Sequence, residues 1–313
     1  MTNAAPTNSV TINTKSVLTV TLLSIAYLVV SYLLLGFKSD GLVLVGLFNL
    51  MFYASVITRK FILGFTVFVV YWIIFDYMKA IPNYNFNQVH IADLYNFEKH
   101  LFGIHYKGQL LTPNEYWRAN STTFIDIMAG IFYLCWIPVP LGFAAFMFFK
   151  NRRQFLYFSL TFLLVNLLGF VIYYAFPAAP PWYVQLYGFD FHPLKMGNTG
   201  GLARFDAYFN VGVFKSIYTK GSNVFAAMPS LHSAYPVIVF YYAVKNRLGW
   251  VNAIFAIVIL GIWFTAVYAS HHYVLDVLAG LTTAILGISL FNLLIAKWKW
   301  LQRFITKYEQ VIT

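Results

Sequence analysis

The chain has 313 residues, of which 60% are hydrophobic, 20% aromatic and only 10% charged. A soluble domain carries about 25% charged residues, so the composition excludes a water-facing globular surface and predicts an integral membrane protein. The net charge of +11 is not the footprint of a nucleic-acid binder, because the basic residues lie in short runs between apolar segments, as the positive-inside rule describes.

Met1–Thr14 is polar and is expected to be disordered. Eight membrane helices are predicted, at about 17–37, 41–58, 61–79, 123–149, 155–176, 230–245, 250–269 and 272–296. Several are near the roughly 20 residues that a crossing requires. The fold class is therefore an all-α polytopic bundle. The first run is too long for a signal-peptide core and lacks a small-residue cleavage pattern, so no cleavable signal peptide is expected. Cys135 sits inside an apolar run and is read as a core thiol; a lone cysteine excludes an internal disulfide.

Charge sets the orientation. Lys15, Arg59-Lys60, Lys150 with Arg152-Arg153, Lys245 with Arg247, and Lys297, Lys299 and Arg303 all fall on one side, which the rule assigns to the cytoplasm. Trp298 and Trp300 read as interfacial anchors. The opposite face, periplasmic in a bacterial inner membrane or lumenal in a Golgi membrane, receives two long connections, about 80–122 and 177–229, and the turn at Ser270. In the first connection Leu94, Phe97 and Leu101 recur at helical spacing, which fits either an interfacial amphipathic helix or a loop helix packed on the bundle. Pro113-Asn-Glu115 reads as a turn back into the membrane. Pro177, Pro180 and Pro181 stop the fifth helix. Asp76 and Asp126 lie near outer helix ends, where a functional carboxylate and a merely hydrated one are both open readings.

The chemistry concentrates in Tyr268–Gly280, where Ser270-His271-His272-Tyr273 interrupts two apolar runs and Asp276 follows His272 by four residues. On a helix that spacing shares a face. A carboxylate there can accept the Nδ1–H of His272 and leave Nε2 free to attack an electrophile. A second histidine, His232, opens another apolar run within Met228–Ser233. Joint metal chelation by His271 and His272 is awkward, because adjacent helical residues point about 100° apart, so neither metal nor cofactor is expected.

These residues resemble the PAP2 superfamily of membrane phosphatases and phosphotransferases. Pro229-Ser-Leu-His-Ser233 matches its PSxHS motif, and His272, Asp276 and Ala279-Gly280 match the later histidine, aspartate and small-residue pair. Two family features are missing: Ala266 stands where an arginine precedes the nucleophilic histidine, and the basic K-x6-R-P motif is replaced by FPAAPPWY. That departure is similar to the inositol phosphorylceramide synthase branch, whose P-x-x-PPWY, GLARxD and HHY-x-x-D segments correspond to Pro177–Tyr183, Gly201–Asp206 and Ser270–Asp276.

The resemblance covers about residues 61–296 and implies a six-helix catalytic core there, with two extra helices in 1–60 and a basic cytoplasmic tail over 297–313. It implies transfer of phosphoinositol from phosphatidylinositol to ceramide or a related sphingoid lipid. His272 is then the nucleophile that forms a phosphohistidine, Asp276 fixes its tautomer, and His232 is the general acid and base. Ser230 and the amides after Pro229, with proline at the first helical position, suit an anion. Ser233 and His271 are further substrate-contact candidates. Arg204 is the best remaining bidentate phosphate ligand, the alternative being an ion pair with Asp206. Trp182 and Tyr183 are substrate contacts or interfacial anchors. Competing readings are a lipid phosphate phosphatase, with water as acceptor, and a transporter or scaffold with a decayed site.

Overall fold

The computed structural model describes residues 12–193, 196–221 and 223–313. The disorder expected at the N-terminus falls outside them up to residue 11, and the first helix begins at Thr14 under an Asn13–Ser16 capping box. In chain order the membrane portion opens with α1 (Thr14–Leu35), α2 (Ser39–Ala54) and α3 (Val56–Tyr77). The connection between α3 and the next membrane helix holds α4 (Ala92–Phe102), a hairpin of β1 (Ile104–Tyr106) and β2 (Gln109–Leu111), and α5 (Pro113–Ala119). Then come α6 (Thr123–Leu134), α7 (Pro138–Lys150) and α8 (Arg152–Ala175), followed by α9 (Pro181–Tyr187), α10 (Ala203–Phe209) and α11 (Val213–Thr219) in the second connection. The chain closes with α12 (Leu231–Lys245), α13 (Val251–Tyr268), α14 (Val274–Lys297) and α15 (Lys299–Ile312).

Among the described residues six spans are long and apolar enough to cross a bilayer, while α2, with 16 residues, is a shorter apolar helix and α12 has only 15 residues. The chain is an all-α polytopic membrane protein. Its surface agrees: α1 buries only Val20 and leaves Leu33 74% exposed, which a water-soluble monomer would not tolerate over a whole helix.

Three local outcomes differ from the sequence reading. The predicted helix over 123–149 is broken at residues 135–137, because Pro138 lacks an amide hydrogen and disfavours helical backbone at Ile137. Cys135 lies in this break and is half-buried rather than core. Pro113-Asn-Glu115 is not a plain turn but the first turn of α5, fixed by a Thr112–Glu115 capping box. Beyond these, the basic tail forms α15. Ile305 and Ile312 are buried, and the Tyr308 hydroxyl donates to the Leu63 carbonyl at 2.7 Å.

Two compact units divide the chain. One comprises residues 1–80, 146–160 and 293–313. In it Gly64 lets Phe148 and Phe155 approach so closely that a Cβ would meet Phe148 at 2.9 Å, and an apolar groove of about 960 Å³ runs among α1, α2 and α3. Asp76 pairs with Lys79 and, at 4.0 Å, with Lys38. The other unit comprises residues 81–145 and 161–292 and contains every motif residue named above. There α12 packs on α13, and α13 on α6, where Gly261 admits the Phe132 ring.

Candidate active site

The site is assembled from two helix beginnings and one helix end. At the end of α13, Ser270 takes a left-handed conformation (φ 59°), its N–H bonds the Val267 carbonyl and the His271 N–H bonds the Ala266 carbonyl. That is the Schellman pattern, here with serine in place of the usual glycine. It stops the helix and turns His271 and His272 inward, where they are 4% and 5% exposed. The next helix, α14, starts at Val274 rather than His272. Asp276 is fully buried in its first turn, and its Oδ2 accepts the Tyr273 N–H at 2.8 Å.

The second beginning is that of α12. Ser230 is the N-cap, so Pro229 lies just outside the helix and not at its first position. The Ser230 Oγ accepts from the Ser233 amide at 3.3 Å and the Ser233 hydroxyl at 3.0 Å. The Ser230 N–H donates to the Asp276 carbonyl at 2.9 Å. Gly280 makes this possible: a Cβ there would stand 2.2 Å from the Ser230 carbonyl oxygen. The small residue of the motif is thus the point at which the two helix starts touch.

The histidines meet here. His232 Nδ1 lies 3.2 Å from His272 Nε2. His272 Nδ1 faces the Ala227 carbonyl at 2.9 Å, while Asp276 Oδ2 stands at 3.6 Å. A carbonyl can only accept, so Nδ1 carries the hydrogen and, in the neutral ring, Nε2 carries the lone pair. The tautomer is the one a nucleophile needs, with the backbone carbonyl as the nearer acceptor and Asp276 close enough to stabilise an imidazolium. Two residues that the sequence did not single out complete the surroundings of His232. The Tyr133 hydroxyl lies 3.2 Å from its Nδ1, and the Trp136 ring stands edge-on at 4.3 Å. Trp136 occupies the break between α6 and α7, so the prolines that interrupt this span are the only trace of it in the sequence.

The other candidates are distributed differently. His271 stacks between Tyr133 and Tyr218, at 5.6 and 4.3 Å, and its Nε2 donates to the Thr199 carbonyl at 2.9 Å. Burial, with His272 adjacent, holds its pKa down to about 3, so it is a neutral imidazole. Arg204 does not pair with Asp206. Its Nε donates to Asp126 Oδ1 at 2.7 Å, where the Tyr268 hydroxyl also donates, while Asp206 accepts the Phe214 and Lys215 amides of α11. The guanidinium stays one-third exposed. Trp182 and Tyr183 are buried, which excludes interfacial anchoring. The Trp182 N–H donates to the Ser270 carbonyl at 2.9 Å, and the Tyr183 hydroxyl donates to the Asp190 carbonyl and accepts from the His192 amide. Among the described residues no group of three or more His, Cys, Asp or Glu is arranged to hold a metal ion.

Glu98 and Asn114, from the connection between α3 and α6, also reach this turn. Glu98 accepts the Val274 and Leu275 amides at 2.9 and 3.1 Å, and Asn114 donates to the Val267 and His272 carbonyls at 2.7 and 2.9 Å. The helical stripe of Leu94, Phe97 and Leu101 pointed elsewhere: Leu94 is buried beside Glu98 on the inward face, whereas Phe97 and Leu101 are exposed. A carboxylate four residues after a buried leucine was the available signal.

Comparison with known proteins agrees with these motifs. Residues 93–290 match the PAP2 superfamily. The chain is 44% identical over 279 residues to the phosphoinositol dihydroceramide synthase of Bacteroides thetaiotaomicron, covering 88% of this chain and 92% of that protein. It is 31% identical over 195 residues to the inositol phosphorylceramide synthase of Candida albicans, covering 58% and 40% of the two chains. It is 30% identical over 171 residues to the inositol phosphorylceramide synthase catalytic subunit AUR1 of Saccharomyces cerevisiae, covering 51% and 41%. No solved structure matches. The chain belongs to the PAP2 superfamily.

Proposed function

We propose that this PAP2 superfamily protein is a membrane phosphotransferase that moves phosphoinositol from phosphatidylinositol to a ceramide-type lipid. The observation that carries the reading is the pair, half-buried at His232 and buried at His272, in which His272 Nε2 faces His232 Nδ1 at 3.2 Å. A phosphodiester admitted between the two rings would meet a nucleophile on one side and a proton donor on the other. In the first half-reaction His272 Nε2 bonds to phosphorus, the bond to the diacylglycerol oxygen breaks, and His232 protonates that oxygen. In the second, the ceramide hydroxyl gives its proton to His232, attacks phosphorus and releases His272. The Ser230 end of α12 offers amide hydrogens to the phosphate oxygens, and Asp276 offsets the charge of the substituted imidazole. The names of the relatives support the headgroup and the acceptor class.

The test is headgroup transfer by purified protein in defined lipids. Label should move from phosphatidylinositol to ceramide with ping-pong kinetics, and a labelled phosphohistidine should be trapped at position 272 without acceptor. Release of free inositol phosphate with no transfer would make the protein a hydrolase. Intersecting double-reciprocal plots with no donor cleavage before ceramide arrives would replace the covalent step by direct in-line transfer. We place the site on the non-cytoplasmic face, from the charge pattern. Cysteines introduced at Asn87 and Asn246, in a background lacking Cys135, should be labelled from opposite sides, and Asn87 labelled from the cytosol would invert the assignment.

A further inference from the structure

The motifs account for the two helix starts but not for what holds the strand of backbone on which His272 sits. That backbone, from Val267 to Leu275, is gripped from outside by two fully buried side chains, Glu98 of α4 and Asn114 of α5. Asn114 uses its side-chain amide group twice, on the Val267 and His272 carbonyls. Glu98 uses one oxygen on the Val274 amide and the other on the Leu275 amide. These four bonds bracket His272 on both sides. With the His272 N–H bound to the Ala266 carbonyl, the main-chain donor and acceptor of the nucleophile are both fixed. α14 is 24 residues long, and its first amides with their dipole form an anion site that Glu98 already fills.

We propose that Glu98 and Asn114 are positioning residues for the phosphoryl-transfer nucleophile, a clamp by which the connection between α3 and α6 sets where His272 Nε2 points. The inference rests on the role proposed above for His272. A shift of about 1 Å in a reacting group can cost on the order of 10²-fold in rate, which is the leverage such a clamp has. Protonation should release it, because a carboxylic acid cannot accept two amide hydrogens symmetrically while it must also place its own. Burial pushes the Glu98 carboxyl up to about 7, with the Asp276 charge adding to the rise and the two amides opposing it. The other titratable groups around this corner are Tyr95 and Lys99 on α4, Glu115 on α5, and Tyr273 on the turn.

The sign is distinctive. A carboxyl raised from 4.5 to about 7 favours the folded state below 4.5, and that contribution is lost as pH rises through 7. Clamping runs the other way, strongest above 7. Activity and stability should therefore move in opposite directions across one pH window, which a merely structural glutamate would not produce.

The experiment compares wild type, Glu98→Gln and Asn114→Ala in the full chain. Hydrogen–deuterium exchange, read without substrate, should be faster at the Val274 and Leu275 amides in Glu98→Gln and around His272 in Asn114→Ala. In the phosphatidylinositol-to-ceramide assay, kcat should fall at least tenfold in each with KM little changed, and Glu98→Gln should flatten the acid limb near pH 7. Unchanged exchange over 272–275 in both variants would overturn the clamp, as would normal kcat with only KM altered. Because exchange needs no turnover, an inactive wild type would count against the proposed transferase and leave the clamp to be judged on exchange alone. A variant that fails to fold is replaced by Glu98→Asp, whose shorter arm should lose one of the two amides and show the same exchange signature in milder form.

Discussion

Two helix beginnings lie side by side in this unit, and they are finished in opposite ways. The start of α14 is closed by carboxylates: Glu98 takes the Val274 and Leu275 amides and Asp276 takes that of Tyr273. The start of α12 is capped by a hydroxyl, Ser230, which takes the Ser233 amide. Both ends carry the positive pole of a helix dipole. At α14 the protein's own carboxyl oxygens take the first amides; at α12 a neutral cap leaves the field open, where the proposed reaction puts a phosphate. The contrast suits different work at two similar-looking ends: on the function proposed above, one holds the nucleophile still and the other receives the charged group it attacks.

The largest effect should come from the residues between the two ends. His272→Ala and His232→Ala should each lower transfer by at least about a hundredfold, since acid–base and nucleophilic assistance of this kind is worth ~10²–10⁴. Wild-type rates in His272→Ala would remove the nucleophile from the turn before α14. Asp276→Asn should fold, as its side chain keeps an oxygen for the Tyr273 amide, yet lose roughly ten- to a hundredfold in kcat, the usual cost of removing a histidine's orienting partner. A full-rate Asp276→Asn would leave the Ala227 carbonyl as sufficient support for the imidazole.

Gly280→Ala probes the contact itself. With a Cβ 2.2 Å from the Ser230 carbonyl the two ends must move apart, and a loss of about 1–3 kcal/mol in unfolding free energy is expected, with reduced kcat. Unchanged melting in detergent would mean the ends are not locked together. The smallest effect is Ser230→Ala. It removes a hydroxyl cap worth about 1 kcal/mol of stability and should weaken donor binding more than it slows turnover. A variant that lowered kcat with KM untouched would argue that Ser230 sits with the reacting atoms and not at the anion-receiving end.

Hydropathy, proline placement and basic runs determined the membrane class and nearly all the spans. Each of these is a local property: a run of apolar side chains must leave water wherever it ends up, and a proline removes a backbone donor whatever its neighbours are, which broke the helix at Pro138 although Pro236 is accommodated inside α12. The spacing set His272 with Asp276 and Ser230 with His232 and Ser233, and the resemblance to the family joined the two groups. Only the tertiary structure decided the partners that lie far along the chain. Arg204 meets Asp126 and not its near neighbour Asp206, His272 Nδ1 meets the carbonyl of Ala227 more closely than Asp276, and Tyr133 comes to His232. Glu98 finds the amides of Val274 and Leu275 across most of the sequence. Periodicity says which face of a helix is apolar, but a buried polar group is satisfied by whichever donor or acceptor packing delivers, and that choice is made in three dimensions.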